Sequence, residues 1–446
     1  MNVSIIGTGY VGLTTGACFA YLGHRVSCVD TDASKIEKLE RGEIPFHEPH
    51  LANLVADARC HLKFTTSYAD AIPGADVVFI AVGTPTGKGG APDLRYLQAA
   101  ASGVGDHLDG NLTVLVNKST VPIGSGNWVE SLVRERAQAP FSVASNPEFL
   151  REGSAIGDTL YPDRVVVGTD CEETAGILYS LYRPILEQSF AAPRYLPRPE
   201  GIGAVPLISA DLASAELVKY AANAFLALKI SYINEISRLA DRVGADIEQV
   251  AKGIGLDRRI GNRFLQAGIG WGGSCFGKDT AALVATAGEY GLDMPIVQAA
   301  RDVNLALRER VVATLLRELK ILKGRTIGLL GLAFKPDTDD LRDSPALDIA
   351  RKLIERGARV RVHDPVAMPR CRQENPDLSV CYCATAEQVA QGSDALVLTT
   401  EWPEYRDLAW RQMARTLRSP LVLDGRHLLG KSQVKKAGLK LIGLAS

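Results

Sequence analysis

A glycine-rich run, Gly268-Ile269-Gly270-Trp271-Gly272-Gly273-Ser274, leads into Cys275-Phe276-Gly277-Lys278-Asp279. The pattern predicts a helix opening at about Cys275 and running to Tyr290. A thiol at a helix N-terminus has its thiolate favoured by the helix dipole. Lys278 adds positive charge within one turn, and Asp279 falls on the same helix face as Cys275. A thiolate, a carboxylate and glycine-lined access together make a nucleophile with a partner for water or proton handling. Most cysteines are buried for packing; the glycines weigh against that here.

Three further groups carry chemistry by type and spacing. Asn146-Pro147-Glu148-Phe149-Leu150-Arg151-Glu152 reads as an Asn cap, a Pro at the first helical position and two carboxylates on one helix face. Lys219 and Asn223 share a face of a long apolar helix, where a cation and an amide suit an oxyanion or, equally, form a surface pair. Ser119-Thr120-Val121-Pro122 ends an apolar strand, so the Thr120 hydroxyl sits at a sheet's carboxyl edge.

Gly7-Thr8-Gly9-Tyr10-Val11-Gly12 follows the first strand and opens a helix to about Leu22. Its glycines permit a tight turn, backbone approach to a pyrophosphate, and close helix–strand packing, while the helix N-terminus favours the phosphates. Asp30 ends the second strand, where an acid accepts from an adenosine ribose and repels a 2′-phosphate, so NAD is expected over NADP. Lys35 lies close enough to soften that exclusion. Thr84 and Pro85 close the strand Val77 to Val82 at the ligand-binding edge.

These residues need elements to position them. Up to about residue 195, apolar strands (Val3 to Ile6, Arg25 to Val29, Val77 to Val82, Thr113 to Lys118, Phe141 to Ala144, Arg164 to Gly168) alternate with helical runs, the mark of a mostly parallel sheet. Pro193 to Pro206 reads as a linker. From about Ala210 to Leu316 there is almost no strand signal, and Ser214 to Val243 reads as one helix longer than usual. The terminal region echoes the first. Ile327 to Gly331 matches Val3 to Gly7, Gly357 to Asp364 matches Gly23 to Asp30, and Asp394 to Pro403 matches Asp76 to Pro85. The expected fold class is therefore α/β, with two Rossmann-like doubly wound domains joined by a central helical domain. The boundaries are 1–200, 208–316 and 322–446. The second copy lacks the later glycines in Gly331-Leu332-Ala333-Phe334-Lys335 and carries ten extra residues before Asp364. It is a poor dinucleotide cradle, and reuse for a nucleotide-bearing substrate is one reading; a solvated charged loop is the other.

The chain has 446 residues, with 50 Lys and Arg against 51 Asp and Glu and a net charge of -1. Hydrophobic residues at 46% and charged residues at 23% exclude a disordered chain, and the near-neutral charge argues against bulk-charge binding to nucleic acid or a membrane surface. No apolar run approaches the ~18 residues of a membrane span. The apolar strand starts at Val3, so no signal peptide is expected. Eight scattered cysteines do not suggest a disulfide framework. Cys381 and Cys383 would point to opposite strand faces, so no metal site is expected. The reading is a cytoplasmic protein with reduced thiols.

GTGYVG, GTPT (Gly83 to Thr86), STVP, NPEFLREG, SAELVKYAANAFLA (Ser214 to Ala227), FLQAGIGWGGSCFGKD and GLAFKPDTDDLRDSP (Gly331 to Pro345) occur in order. Together they resemble the UDP-glucose/GDP-mannose dehydrogenase family over nearly the whole chain. The resemblance implies an NAD-dependent, four-electron oxidation of a nucleotide sugar's primary alcohol to a carboxylate. It also implies a UDP-sugar substrate and a homodimer; GDP-mannose or a UDP-N-acetylhexosamine is the alternative substrate. Carried over where the motifs match, it makes Cys275 the nucleophile for a thiohemiacetal and then a thioester. Lys219 and Asn223 would stabilise oxyanions, Asp279 and Thr120 would hold water, and Glu148 would assist hydrolysis. Glu148, Phe149, Leu150, Arg151 and Glu152 would meet the substrate, as would Lys219, Asn223 and Arg259. So would Phe264, Leu265, Gln266, Ala267, Gly268, Gly272 and Lys335. Gly7, Gly9, Tyr10, Val11, Gly12, Asp30, Lys35, Thr84, Thr120, Lys278 and Arg342 would meet NAD. The family usually has Pro at Gly277 and Phe at Trp271, and Gly277 is expected to loosen the backbone beside the thiol. A non-catalytic sensor would need no nucleophile, so Cys275, Lys219 and Asp279 together speak against one.

Overall fold

A computed structural model of the chain describes residues 1–444. It divides into two compact units. The first comprises Met1–Ala222 with Ala281–Gly291, and the second Asn223–Thr280 with the chain from Leu292 onward.

The first unit holds an eight-stranded sheet. Its strands are β1 (Asn2–Ile6), β2 (Arg25–Val29), β3 (Leu62–Thr65), β4 (Val77–Ile80), β5 (Thr113–Asn117), β6 (Phe141–Ser145), β7 (Val165–Gly168) and β8 (Leu207–Ala210). Their order is β3-β2-β1-β4-β5-β6-β7-β8, and every pairing is parallel except β6 with β7. The central strands are apolar on both faces because both are covered. Ile5, Val77 and Phe79 enter one core cluster, while Ile6, Val78 and Ile80 enter the other. Strands β3 and β8 were not expected. Leu62 to Thr65 follows a short helical stretch, and Leu207 to Ala210 is a half-exposed edge strand, so neither carries the continuous apolar signal of the centre.

The second unit carries a six-stranded parallel sheet. Strands β9 (Thr326–Leu330), β10 (Arg359–His363), β11 (Val380–Tyr382), β12 (Ala395–Leu398), β13 (Leu421–Asp424) and β14 (Lys440–Gly443) lie in the order β11-β10-β9-β12-β13-β14. This repeats the order of the first six strands, and the three echoed segments fall on β1 and β9, β2 and β10, and β4 and β12. The remainder of the second unit includes long helices, among them Pro295–Leu319. The long helix runs without a break over Leu212–Val243, and the division between units falls within it. Among the described residues no helix is long and apolar enough to cross a membrane.

Candidate active site

In the first unit the turn after β1 has the geometry a pyrophosphate requires. Gly7 has φ +101°, and a Cβ there would stand 2.6 Å from the Ala81 carbonyl oxygen. At Gly12 a Cβ would stand 1.9 Å from the Gly7 carbonyl oxygen, so only glycine lets the helix Tyr10–Tyr21 start so close to the strand. At Gly9 a Cβ would meet nothing within 4 Å, which leaves open space before the helix N-terminus. The residues present therefore fit a dinucleotide. Tyr10 stacks on Phe46, and its hydroxyl donates to the His47 carbonyl, which fixes the side wall of the turn. Asp30 accepts from the Thr8 amide (3.0 Å) and hydroxyl (2.7 Å), and Lys35 Nζ lies 3.5 Å away. Thr84 Oγ1 donates to the Thr120 carbonyl at 2.8 Å, tying together the carboxyl ends of β4 and β5.

At the same sheet edge the structure corrects one expectation. Residues 146–150 form no helix; the helix there is Ala155–Leu160. Asn146 does not cap. Its amide donates to the Val166 carbonyl (2.7 Å), and its Oδ1 accepts from Lys118 Nζ (2.8 Å) and the Tyr182 hydroxyl (2.5 Å). Pinned this way, the segment stays out of a helix, so Glu148 and Glu152 do not share a helix face. Glu148 Oε1 instead accepts from Lys219 Nζ at 3.0 Å, in a buried pair, and its Oε2 accepts from the Leu150 amide. Burial alone would raise the Glu148 carboxyl, but the Lys219 ammonium, the Leu150 amide and Lys118 hold it below its ordinary value. Phe149 lies under the Arg164 guanidinium at 3.6 Å. Arg151 is paired with Asp158.

Sequence reasoning passed over three buried charged residues at this sheet edge, two of which hold the segment itself. Glu48 accepts from the Gly153 (2.6 Å) and Ala155 (2.8 Å) amides and so anchors its far end. Glu216, one turn before Lys219, accepts from the Gly124 and Gly126 amides at the N-terminus of the helix Ser125–Arg134. Burial pushes its carboxyl up to about 7 despite those amides. Lys118 is buried at the end of β5, and burial brings its ammonium down to about 8. A lysine directly after a wholly buried strand with an apolar centre was the available signal.

In the second unit Cys275 lies directly before the helix Phe276–Glu289, as expected, and is half-buried. The Ser274 hydroxyl is 3.4 Å from its sulfur. Asp279, one turn on, is fully buried; its Oδ2 accepts from Asn223 Nδ2 at 2.6 Å and its Oδ1 faces Lys278 Nζ at 2.9 Å. The two members of the Lys219/Asn223 pair therefore each hold a different carboxylate. Gly277 is held by a hydrogen bond. It lies inside the helix, its carbonyl accepts from Arg301 at 2.8 Å, and a Cβ there would meet Asp343 Oδ2 at 2.9 Å and the Trp271 ring at 3.9 Å.

The loop before the thiol packs on the second sheet's carboxyl edge. The Gly268 amide donates to Asn234 Oδ1 (2.8 Å), the Ile269 amide to the Gly425 carbonyl (3.0 Å), and Arg426 to the Gly270 carbonyl (3.0 Å). Leu265 and Ala267 are buried, Gln266 is exposed, and Phe264 has a left-handed φ of +64°. A Cβ at Gly272 would stand 2.4 Å from the Asp343 carbonyl oxygen. Lys335 Nζ lies over the Phe334 ring at 5.4 Å, and Arg342 grips the fully buried Asp340. Arg259 is exposed and paired with Asp257, so within its unit it is not gathered toward the thiol loop.

A glycine turn of this geometry on a doubly wound sheet, in a chain that also presents a thiol before a helix, defines a dinucleotide-dependent oxidoreductase. Comparison with known proteins narrows the class. Residues 1–186 match the NAD binding domain, 213–306 the central domain and 328–431 the UDP binding domain of the UDP-glucose/GDP-mannose dehydrogenase family. UDP-glucose 6-dehydrogenase TuaD of Bacillus subtilis is 44% identical over 98% of this chain and 91% of its own. A UDP-glucose 6-dehydrogenase of Rhizobium meliloti is 44% identical over 99% and 98%. A UDP-glucose dehydrogenase structure from the archaeon Pyrobaculum islandicum superimposes with a TM-score of 0.89 at 41% identity, covering 99% of this chain and 97% of that one. The chain belongs to the UDP-glucose/GDP-mannose dehydrogenase family and is an NAD-dependent enzyme of that family.

Proposed function

We propose that this enzyme oxidises the primary alcohol of UDP-glucose to the carboxylate of UDP-glucuronate, with NAD accepting the hydride in each of two steps. The observation that carries the reading is Cys275 seated directly before a helix, with the buried Asp279–Asn223 bond one turn further on. The names of its relatives supply the sugar.

The roles follow from the chemistry. The Cys275 thiolate adds to the aldehyde carbon formed in the first oxidation, and Lys219 and Asn223 hold the resulting oxyanion. Loss of hydride from that carbon leaves the thioester. Water held by Asp279 and Thr120 gives up a proton with the help of Glu148 and adds to the thioester carbon; the C–S bond breaks and the thiolate leaves. Arg259, Lys335, Gly272, the 148–152 segment and the 264–268 loop are assigned to the substrate. Lys278, Arg342, Lys35 and Thr84 are assigned to NAD, together with the glycine turn. Residues 1–200 would carry the cofactor, 208–316 a dimer contact and 322–446 the UDP moiety. Cytoplasmic location rests on the eight scattered cysteines, read as reduced thiols.

A homodimer is part of the same proposal. Val218, Phe225, Tyr232 and Leu239 recur every seventh residue on the long helix and are 37%, 61%, 51% and 60% exposed. Such a stripe is what a partner helix covers. Sedimentation of a monomer at micromolar concentration would count against it.

The chemistry is tested by counting NADH per sugar. Wild-type enzyme should give two NADH per UDP-glucose and little with GDP-mannose. Cys275→Ser should lower turnover to the sugar acid by on the order of 10³-fold or more while NAD and UDP-glucose still bind. Near wild-type acid production by Cys275→Ser would end the mechanism.

A further inference from the structure

Lys118 is the buried charge that the proposed roles do not use. It closes β5, is 7% exposed, and gives its hydrogen bonds to neutral acceptors: Asn146 Oδ1 at 2.8 Å, the Asn146 carbonyl at 3.4 Å and the Tyr182 hydroxyl at 3.5 Å. Among the described residues no carboxylate forms an ion pair with it. A bare ammonium taken from water is costly unless something nearby needs the charge. The groups around it come from several elements. Glu148 lies two residues beyond Asn146, Lys219 comes from the long helix and Tyr182 from the helix Glu172–Leu186. Arg164 and Asp158 line the same cleft, with Asp158 held by Arg151. Lys118 and Lys219 are thus two buried cations acting on one buried carboxylate.

We propose that Lys118 is a positioning residue: fixed on Asn146, its ammonium holds the 146–150 segment in place and keeps the Glu148 carboxylate ionised toward Lys219. This rests on the role given to Glu148 above. The sign follows from Coulomb's law at low dielectric. A second nearby cation stabilises the carboxylate, so its removal makes Glu148 easier to protonate. A base that must be ionised then fails at a higher pH. The Lys118 ammonium, brought down to about 8 by burial and by Lys219 against the pull of Glu148, is still charged where that acid limb lies.

The test is the pH dependence of kcat with NAD and UDP-glucose, read in parallel with the thermal melt. Lys118→Met removes the charge and the hydrogen bonds; Lys118→Gln removes the charge but keeps a donor for Asn146. Both should move the acid limb of kcat upward by about one pH unit, the low end of what a nearby opposite charge contributes. KM for UDP-glucose should change less than about twofold. Lys118→Arg, which keeps the charge, should return the limb to its wild-type position. If Lys118→Met does not fold, Lys118→Gln carries the comparison. A limb unmoved in Lys118→Gln, or an equal fall in kcat at every pH in all three variants, overturns the proposal. Glu148→Gln separates this from the role of Glu148 itself. A limb that survives in Glu148→Gln overturns that role, whereas a limb lost there but unmoved in Lys118→Gln overturns only the inference drawn here.

Discussion

The turns after β1 and β9 start from the same backbone and end as opposite devices. Both open on a glycine with positive φ, +101° at Gly7 and +107° at Gly331. Both face an aspartate at the end of the neighbouring strand. In the first turn Gly9 leaves open space, and Asp30 is met by Thr8, the Asp32 amide and the half-exposed Lys35. In the second turn Leu332 and Ala333 are fully buried, and their amides donate to Asp364 Oδ2 at 2.7 and 3.1 Å. Trp402 Nε1 and the Val366 and Ala367 amides complete a shell of five donors around that carboxylate. The amide after the first glycine donates to the facing aspartate in both turns; in the second turn the next amide, that of Ala333, is taken by the same carboxylate as well. Strand order alone does not make a dinucleotide site; the residues just after the first glycine decide whether the crevice is open.

The sharpest way to break this comparison is Asp364→Ala. It leaves five buried donors without an acceptor and should cost about 3–5 kcal/mol in denaturant unfolding. A loss below about 1 kcal/mol would show that the shell is not structural.

Gly9→Val should act on binding instead. Its φ of -74° suits any residue and the added side chain meets no protein atom, so the melting temperature should hold. NAD affinity should fall by about 100-fold or more by calorimetry, because the side chain fills the pyrophosphate's place.

Asp30→Ala should narrow the preference for NAD over NADP by about tenfold in kcat/KM, since it removes the repulsion of a 2′-phosphate and releases Lys35. Unchanged preference would remove Asp30 from cofactor choice.

The smallest effect is on pH. Burial would raise the Asp30 carboxyl, but the hydrogen bonds from Asp32 and Thr8 and the Lys35 ammonium hold it below its ordinary value. A carboxyl lowered in the folded state adds stability above its unfolded pKa of about 3.9, and that increment is lost as pH falls through the folded value. Asp30→Asn should therefore melt slightly below wild type at neutral pH, and the two should converge in acid.

Much of the fold was legible because its signals are local. The runs Val77 to Ile80 and Val114 to Val116 are wholly buried and wholly apolar, and the glycine turn and the helix after it are adjacent in sequence. The edge strand β8 was missed because it is half-exposed, and β3 because the exposed Lys63 interrupts a short buried run. The Asn146 to Glu152 segment shows the limit more clearly. Its Asn-Pro-Glu spelling favours a helix, yet Asn146 is held by Lys118, Tyr182 and Val166, which lie 28, 36 and 20 residues away in the chain. Those contacts outweigh a local cap of about 1 kcal/mol.

By itself the sequence determined the turn that receives a dinucleotide, the seating of Cys275 before its helix, and the doubled strand pattern. Each depends on residues within a turn or two of one another. Only the tertiary structure decided which carboxylate each functional group would hold: Glu148 for Lys219, Asp279 for Asn223, and Asp364 for its own turn. Those pairings join residues 71, 56 and 32 positions apart, and a buried charge takes whichever partner the chain's path brings within about 3 Å.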